Sequence, residues 1–144
     1  MGQAEIREAD DEKSVAACYP LMRQLRPHLP SAEELVERWQ RQRQESYRIL
    51  AVWDGERPLA LAGYRFQENL LRGRHLYVDD LVTSASERGS GHGARLIAHL
   101  AEDARAQGCS ALTLSAAMDN ALGHRFYFRN GLLITSVGFS MVLG

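Results

Sequence analysis

Apolar positions along this chain change period at well-marked points, and each period predicts an element. Residues 4–9, AEIREA, alternate weakly and predict a short first strand. DDEKSVAACYPLMRQLRP follows, with Val15, Cys18, Leu21, Met22 and Leu25 at helical spacing behind acids that suit a helix N-terminus. Pro20 lies inside that pattern and predicts a kink or a division, while Pro27 and Pro30 end it. SAEELVERWQRQRQ begins with Ser31 three residues before Glu34, a capping-box pattern, and lines up Leu35, Val36 and Trp39. Residues 46–54 and 57–66 are β-rich runs around the turn DGER, and residues 73–83, GRHLYVDDLVT, form the next strand after the loop QENLLR. A helix is predicted over roughly 91–107, with Ala94, Ile97, Ala101 and Ala104 on one face, widened by Leu96 and Leu100, and Gly108 at its end. Strand 111–117, helix 120–130 and a final strand over 132–143 complete the chain.

The predicted order is therefore β-α-α-β-β-β-α-β-α-β. A meander followed by β-α-β implies an α/β fold on a mixed sheet, antiparallel first and parallel across the long helix. No repeat, low-complexity tract or linker interrupts it, so residues 1–144 read as a single domain.

Composition narrows the partners. With 45% apolar and 24% charged residues this is the balance of an ordinary globular protein. A formal net charge of −1 gives nucleic acid or an anionic membrane no bulk attraction. Lys13 is the only lysine, and the arginine excess reads as coding bias rather than a phosphate-binding surface. Cys18 and Cys109 fit no metal or redox spacing, and His28, His75 and His99 form no metal set. The N-terminal segment MGQAEIREADDEKS is acidic, unlike a secretory or transit peptide, and no apolar run reaches membrane-spanning length. A cytoplasmic protein is the expectation.

The informative stretch is RGSGHGA at residues 88–94, where a strand hands over to a helix. Glycines there let main-chain N–H groups approach a phosphate closely. A nucleotide P-loop would need Gly-Lys-Ser/Thr, which is absent. A dinucleotide fold would need a third spaced glycine and alternating βαβ units, not a preceding meander. A plain glycine turn stays open on this stretch alone.

Arg88-Gly89-Ser90-Gly91-His92-Gly93 has the Arg-x-x-Gly-x-Gly pattern and resembles the Gcn5-related N-acetyltransferase (GNAT) family, where it follows the fourth strand and opens the third helix. YVDDLVTSASERGSGHGARLIAHL is similar to that family's strand-loop-helix core. NALGHRFYFRNGL resembles its later Asn-x-x-Ala-x-x-Phe-Tyr-x-x-x-Gly-Phe motif, with Gly123 for alanine and Leu132 for phenylalanine. The element order agrees over nearly the whole chain. The HRFYFRNG ending and the length are similar to the small bacterial members that acetylate amines of small molecules, aminoalkylphosphonate acetyltransferases among them.

The resemblance implies acetyl-CoA as co-substrate, no metal, and transfer to a primary amine by direct attack in a ternary complex. Main-chain donors at Arg88, Gly89, Ser90, Gly91, His92, Gly93 and Ala94 would hold the coenzyme's diphosphate at a helix N-terminus. Free backbone at Leu81, Val82 and Thr83 would pair with the pantetheine arm, although Leu81 and Val82 equally read as core. Tyr127 matches the tyrosine that protonates the departing thiolate, and an unperturbed phenol pKa of ~10 suits that task. Spacing alone would make it a packing aromatic. Asn120 would contact the coenzyme, with Gly123 leaving room. Arg125 or Arg129 could reach its phosphates, though each also reads as an exposed helix charge.

The base is open. Alternation puts His75, Tyr77 and Asp79 on one strand face and Leu76, Val78 and Asp80 on the other. Asp79 is the first candidate, with Tyr77 beside it. Asp80 is its rival, because a bulge would change which residue faces the site. Glu68, in the preceding loop, is a third, and an amine arriving neutral needs none. Arg23, Arg26 and Arg72 could hold an anionic acceptor. A non-catalytic acyl-CoA-binding regulatory module and a protein acetyltransferase are the alternative readings. An exposed edge at the last strand invites a homodimer.

Overall fold

In a computed structural model, which describes residues 4–144, the first elements are β1 (Glu5–Glu8), α1 (Glu12–Ala17), α2 (Tyr19–Leu25) and α3 (Ala32–Gln42). Asp11 and Ser14 cap α1 reciprocally: Ser14 N donates to Asp11 Oδ1 at 2.8 Å and Asp11 N donates to Ser14 Oγ at 3.3 Å. Pro20 divides the first helical pattern. It sits in the first turn of α2, where its missing N–H costs nothing, and Cys18 separates the two helices. Ser31 Oγ caps α3 by accepting from Glu34 N at 3.1 Å, while the Glu34 carboxylate turns to Arg38 instead of closing the box.

The strands β2 (Arg48–Asp54), β3 (Arg57–Asn69) and β4 (Gly73–Thr83) form the expected meander. Next come α4 (His92–Ala106), β5 (Leu112–Leu114) and α5 (Ala121–Arg129). The sheet is mixed, in the order β1-β2-β3-β4-β5, and antiparallel from β1 through β4. A fifteen-residue helix between β4 and β5 supplies the crossover that parallel neighbours need.

Alternation sorts the sheet into two buried faces. Tyr47, Ile49, Ala51, Trp53 and Leu61 pack with Val15, Cys18, Leu21, Met22, Leu35 and Trp39 of the three early helices. The intervening residues Leu50, Val52, Ala60, Ala62, Leu76 and Val78 are also buried, as are Leu96, Ile97, Leu100 and Ala104 of α4. Both α4 and the early helices thus follow their apolar stripes.

The register of β3 against β4 breaks once. Gly63 pairs with Asp80, but Tyr64 pairs with Val78, so Asp79 is an extra residue on β4. This bulge changes the phase of the strand at the place where the sequence offers two aspartates.

Three expectations are corrected. Strand β3 runs on to Asn69, so Glu68 belongs to a strand opposite Arg74 and not to a loop. Strand β5 has three residues, not seven. Residues 132–143 form no strand, although their alternation predicted one. Alternation is only a tendency, and Gly138, with no side chain to pack, interrupts the run. Leu133, Ile134, Val137, Phe139, Met141, Val142 and Leu143 are accordingly all exposed.

By compactness the chain divides into two units, Met1–Thr113 and Leu114–Gly144. The first holds the meander and α1–α4; the second holds α5 and the residues after it. Among the described residues no helix is long and apolar enough to cross a membrane.

Candidate active site

The glycine loop is built for close approach. A short turn at Ala85–Glu87 follows β4, and Ser90 N closes on Glu87 O at 3.2 Å. Gly89 and Gly91 have φ of +85° and +84°, a region that L side chains rarely occupy, and space beside both is open. Gly91 is the residue before α4, and Arg95 N→Gly91 O at 3.0 Å is the helix's first hydrogen bond. The N–H groups of His92, Gly93 and Ala94 therefore lack acceptors within the helix. Asp11, Ser31 and Asn120 cap their helices by side chain, whereas no side chain caps α4. Arg88 and Ser90 are exposed, and Gly93 is buried against the sheet side of the helix.

His92 does more here than lend its N–H. Its Nε2 lies 3.1 Å from Glu87 Oε1, tying the helix start to the turn before the loop. Its Nδ1 is buried without a hydrogen-bond partner. Left-handed glycines and an uncapped helix start suit an anionic group such as the coenzyme's diphosphate.

The second expected feature is the edge of β4. Leu81, Val82 and Thr83 pair with Ala62, Leu61 and Ala60, and all three are half-buried. Val82 also packs on the core, so its two readings coexist. On the other side of β4, hydrogen bonds run from Ser110 N to Arg74 O and from Leu76 N to Ala111 O. Strand β5 ends at Leu114, so it runs beside only the first part of β4. Residues 81–83 extend past it.

The two aspartates do not occupy opposite faces, as plain alternation required. The extra residue at the bulge turns both carboxylates toward the early helices. Asp79 Oδ2 accepts from Arg65 Nε at 2.8 Å, and Arg65 also donates to Gln42 Oε1 at 2.6 Å. Asp80 is more heavily engaged. Its Oδ2 accepts from Tyr47 Oη at 2.6 Å and its Oδ1 from Arg26 Nε at 3.0 Å. Arg26 also donates to the main-chain oxygen of Asp79 at 2.8 Å.

Burial raises the Asp79 carboxyl above the usual carboxylate range, with Arg65 opposing it. Burial, followed by the negative charge of Asp80, holds the Tyr47 phenol well above its ordinary value, so Tyr47 stays a donor. Tyr77 is half-buried before the bulge, and Glu68 is exposed. Arg26, read as a free hand for an anionic acceptor, is instead committed to Asp80. Arg23 is exposed on α2.

In the second unit, Asn120 precedes α5 and accepts from Gly123 N at 3.1 Å through its side-chain oxygen. A Cβ on Gly123 would overlap that side chain, so the glycine makes room for the cap itself. Tyr127 is half-buried with its ring edge-on to Phe126, and burial raises its phenol above the ordinary value. His124 reaches back to the Ala117 carbonyl at 2.9 Å, while Arg125 and Arg129 are exposed.

The sequence pattern does not single out Tyr47, Arg65, Gln42, Gly63 or Glu87. Their partners lie far away in sequence, apart from Glu87 and His92, whose five-residue spacing across a glycine loop is the one local signal. Among the described residues, no three His, Cys, Asp or Glu side chains gather as a metal site would need.

Comparison with known proteins gives the family. The model of the acetyltransferase (GNAT) family matches residues 12–132. An uncharacterized N-acetyltransferase of Bacillus subtilis (strain 168), YhdJ, is 30% identical over 85% of this chain and 86% of its own length. Solved structures share the fold at lower identity. A putative acetyltransferase from Agrobacterium tumefaciens str. C58 has a TM-score of 0.84 at 22% identity, covering 96% of this chain and 99% of that one. The aminoglycoside N-acetyltransferase AAC(6')-Iy, solved in complex with CoA, has a TM-score of 0.85 at 15% identity, covering 99% of this chain and 97% of that one. The chain therefore belongs to the GNAT acetyltransferase family, and it is an acetyl-CoA-dependent N-acetyltransferase.

Proposed function

We propose that this enzyme acetylates the primary amine of a small molecule by direct attack in a ternary complex. The observation that carries the coenzyme's place is the loop: two left-handed glycines leading into an uncapped helix. Acetyl-CoA supplies an acetyl group already activated as a thioester. The main-chain donors of residues 88–94 hold its diphosphate, and His92 fixes the loop through Glu87. The backbone of Leu81, Val82 and Thr83 receives the pantetheine arm as an added strand.

Asp79 is the base for the incoming ammonium. Its carboxyl is raised by burial, and one ion pair engages it, whereas both oxygens of Asp80 are taken. Tyr127 is the acid for the departing thiolate, since burial keeps its phenol protonated. Asn120 serves the coenzyme chiefly by fixing the start of α5. No cysteine enters this scheme: burial pushes the Cys18 thiol up to about 12, and a thiol so protonated is a poor nucleophile.

Residues 1–144 act as one acetyltransferase domain, a reading supported by a family match that runs unbroken from 12 to 132. The enzyme works in the cytoplasm, consistent with two free cysteines. A second copy of the chain is the partner for residues 132–143. Phe139 is 94% exposed and Val142 88%, in a stretch with a strand's alternation, and such a surface buries against a partner.

The test is thiol release from acetyl-CoA across a panel of small amines, amino sugars, polyamines and peptides. Turnover confined to small amines supports the reading. Turnover confined to peptides replaces it with a protein acetyltransferase.

A further inference from the structure

Each carboxylate oxygen of Asp80 already holds a donor, and the groups that hold it converge from three separate parts of the chain. Arg26 follows directly on α2, Tyr47 directly precedes β2, and Asp80 itself is the residue after the bulge. One guanidinium binds both the Asp80 carboxylate, at 3.0 Å, and the main-chain oxygen of Asp79, at 2.8 Å. A bulge leaves its extra residue out of the ladder, so that carbonyl takes its donor from Arg26. Tyr47 reaches Asp80 by crossing Gly63. A Cβ there would overlap the phenol oxygen and lie 2.5 Å from Asp80 Oδ2. Gly63 has no positive φ, so its small size serves this passage alone.

We infer that Arg26, Tyr47 and Asp80 form a lock on the β4 bulge that sets how the main chain of Leu81–Thr83 is offered to the coenzyme. Asp80 is a positioning residue in this arrangement, and Gly63 is the gap through which the lock closes. The inference rests on the coenzyme reading above for its functional consequence. It assigns no proton transfer to Asp80. It also ties the early helices to β4, since Arg26 follows directly on α2 and bonds the bulge.

The test uses the full chain as Arg26→Gln, Arg26→Lys, Gly63→Ala and Asp80→Asn. Amide hydrogen exchange in the free protein reads the bulge, calorimetry with CoA reads the offered edge, and the pH profile of kcat/KM reads the base. Arg26→Gln and Gly63→Ala are expected to speed exchange across residues 79–83 and leave α4 unchanged. Each weakens CoA about tenfold, as expected for one lost charge-assisted hydrogen bond. Arg26→Lys, which keeps the charge but not the two-pronged geometry, recovers part of the loss. Asp80→Asn keeps the acid limb of the profile. Unchanged exchange at 79–83 in both Arg26→Gln and Gly63→Ala overturns the lock. So does an Asp80→Asn enzyme that binds CoA normally and has lost the acid limb, for Asp80 would then be the base. A wild-type protein that ignores CoA defeats the coenzyme reading instead, and exchange in the free protein still decides the lock.

Discussion

Tyr47 donates its hydroxyl to Asp80 at 2.6 Å although the two residues stand 33 apart in the chain. Tyr47 immediately precedes β2, and Asp80 lies within β4. Tyr47 is 4% exposed and buried as a phenol, and Asp80 follows the one extra residue in the β3–β4 ladder. The pair converts a sheet irregularity into a fixed feature. Removing the hydroxyl leaves Asp80 Oδ2 without its donor, so Tyr47→Phe is expected to lose about 1–3 kcal/mol of stability. Urea unfolding measures it, with an unchanged m-value marking a loss confined to the native contact.

Asp79 makes a pH prediction of definite sign. Burial raises its carboxyl, so the folded protein holds that proton to higher pH than the unfolded chain does. Its stabilising share is full below the ordinary carboxylate value and is lost as pH rises through the folded one. A base must be deprotonated, so kcat/KM is expected to rise along that same limb, above the usual carboxylate range. Asp79→Asn flattens the limb and cuts turnover by about 10²-fold or more. A limb retained in the variant assigns the proton elsewhere.

Tyr127 titrates in the opposite role. Its phenol is held above the ordinary value of ~10, so an acid there stays competent across the neutral range and fails only at strongly alkaline pH. Tyr127→Phe is expected to lose most of kcat while its affinity for CoA, measured by calorimetry, stays within about twofold. Wild-type turnover in the variant at neutral pH removes Tyr127 from the scheme.

The two cysteines separate by reactivity. Cys18 is fully buried and its thiol is pushed up to about 12, whereas Cys109 is partly exposed. One thiol per chain is expected to react with a chromogenic disulfide under native conditions and two in urea. Cys109→Ser abolishes the native fraction.

The exposed apolar run at 132–143 predicts self-association. Sedimentation at micromolar concentration is expected to give a dimer, and Phe139→Asp combined with Val142→Asp to give a monomer. A wild-type chain that is monomeric throughout excludes a second copy as the cover.

Much of this was legible in the linear pattern because it depends on neighbours in sequence. Val15, Leu21 and Met22 fell on the buried side as their spacing required, and Gly89 and Gly91 fell where β4 hands over to α4. Pro20 left only the choice between a kink and a division. What escaped was set by register and distance. Nothing local says that Asp79 is an extra residue, so alternation put the two aspartates on opposite faces. Nothing local sends Arg26 across 54 positions to Asp80 or explains why Gly63 must be small. The strand expected at 132–143 failed because alternation reports only a tendency, which Gly138 interrupts.

The most direct test of the whole account is calorimetric titration of CoA into the wild-type protein and into Gly91→Ala. If main-chain donors at the start of α4 grip the diphosphate, the wild type binds CoA, pantetheine without its phosphates does not bind, and the alanine at φ +84° weakens binding by about tenfold or more. Equal affinities for CoA and pantetheine, or no binding of CoA at millimolar concentration, would contradict it.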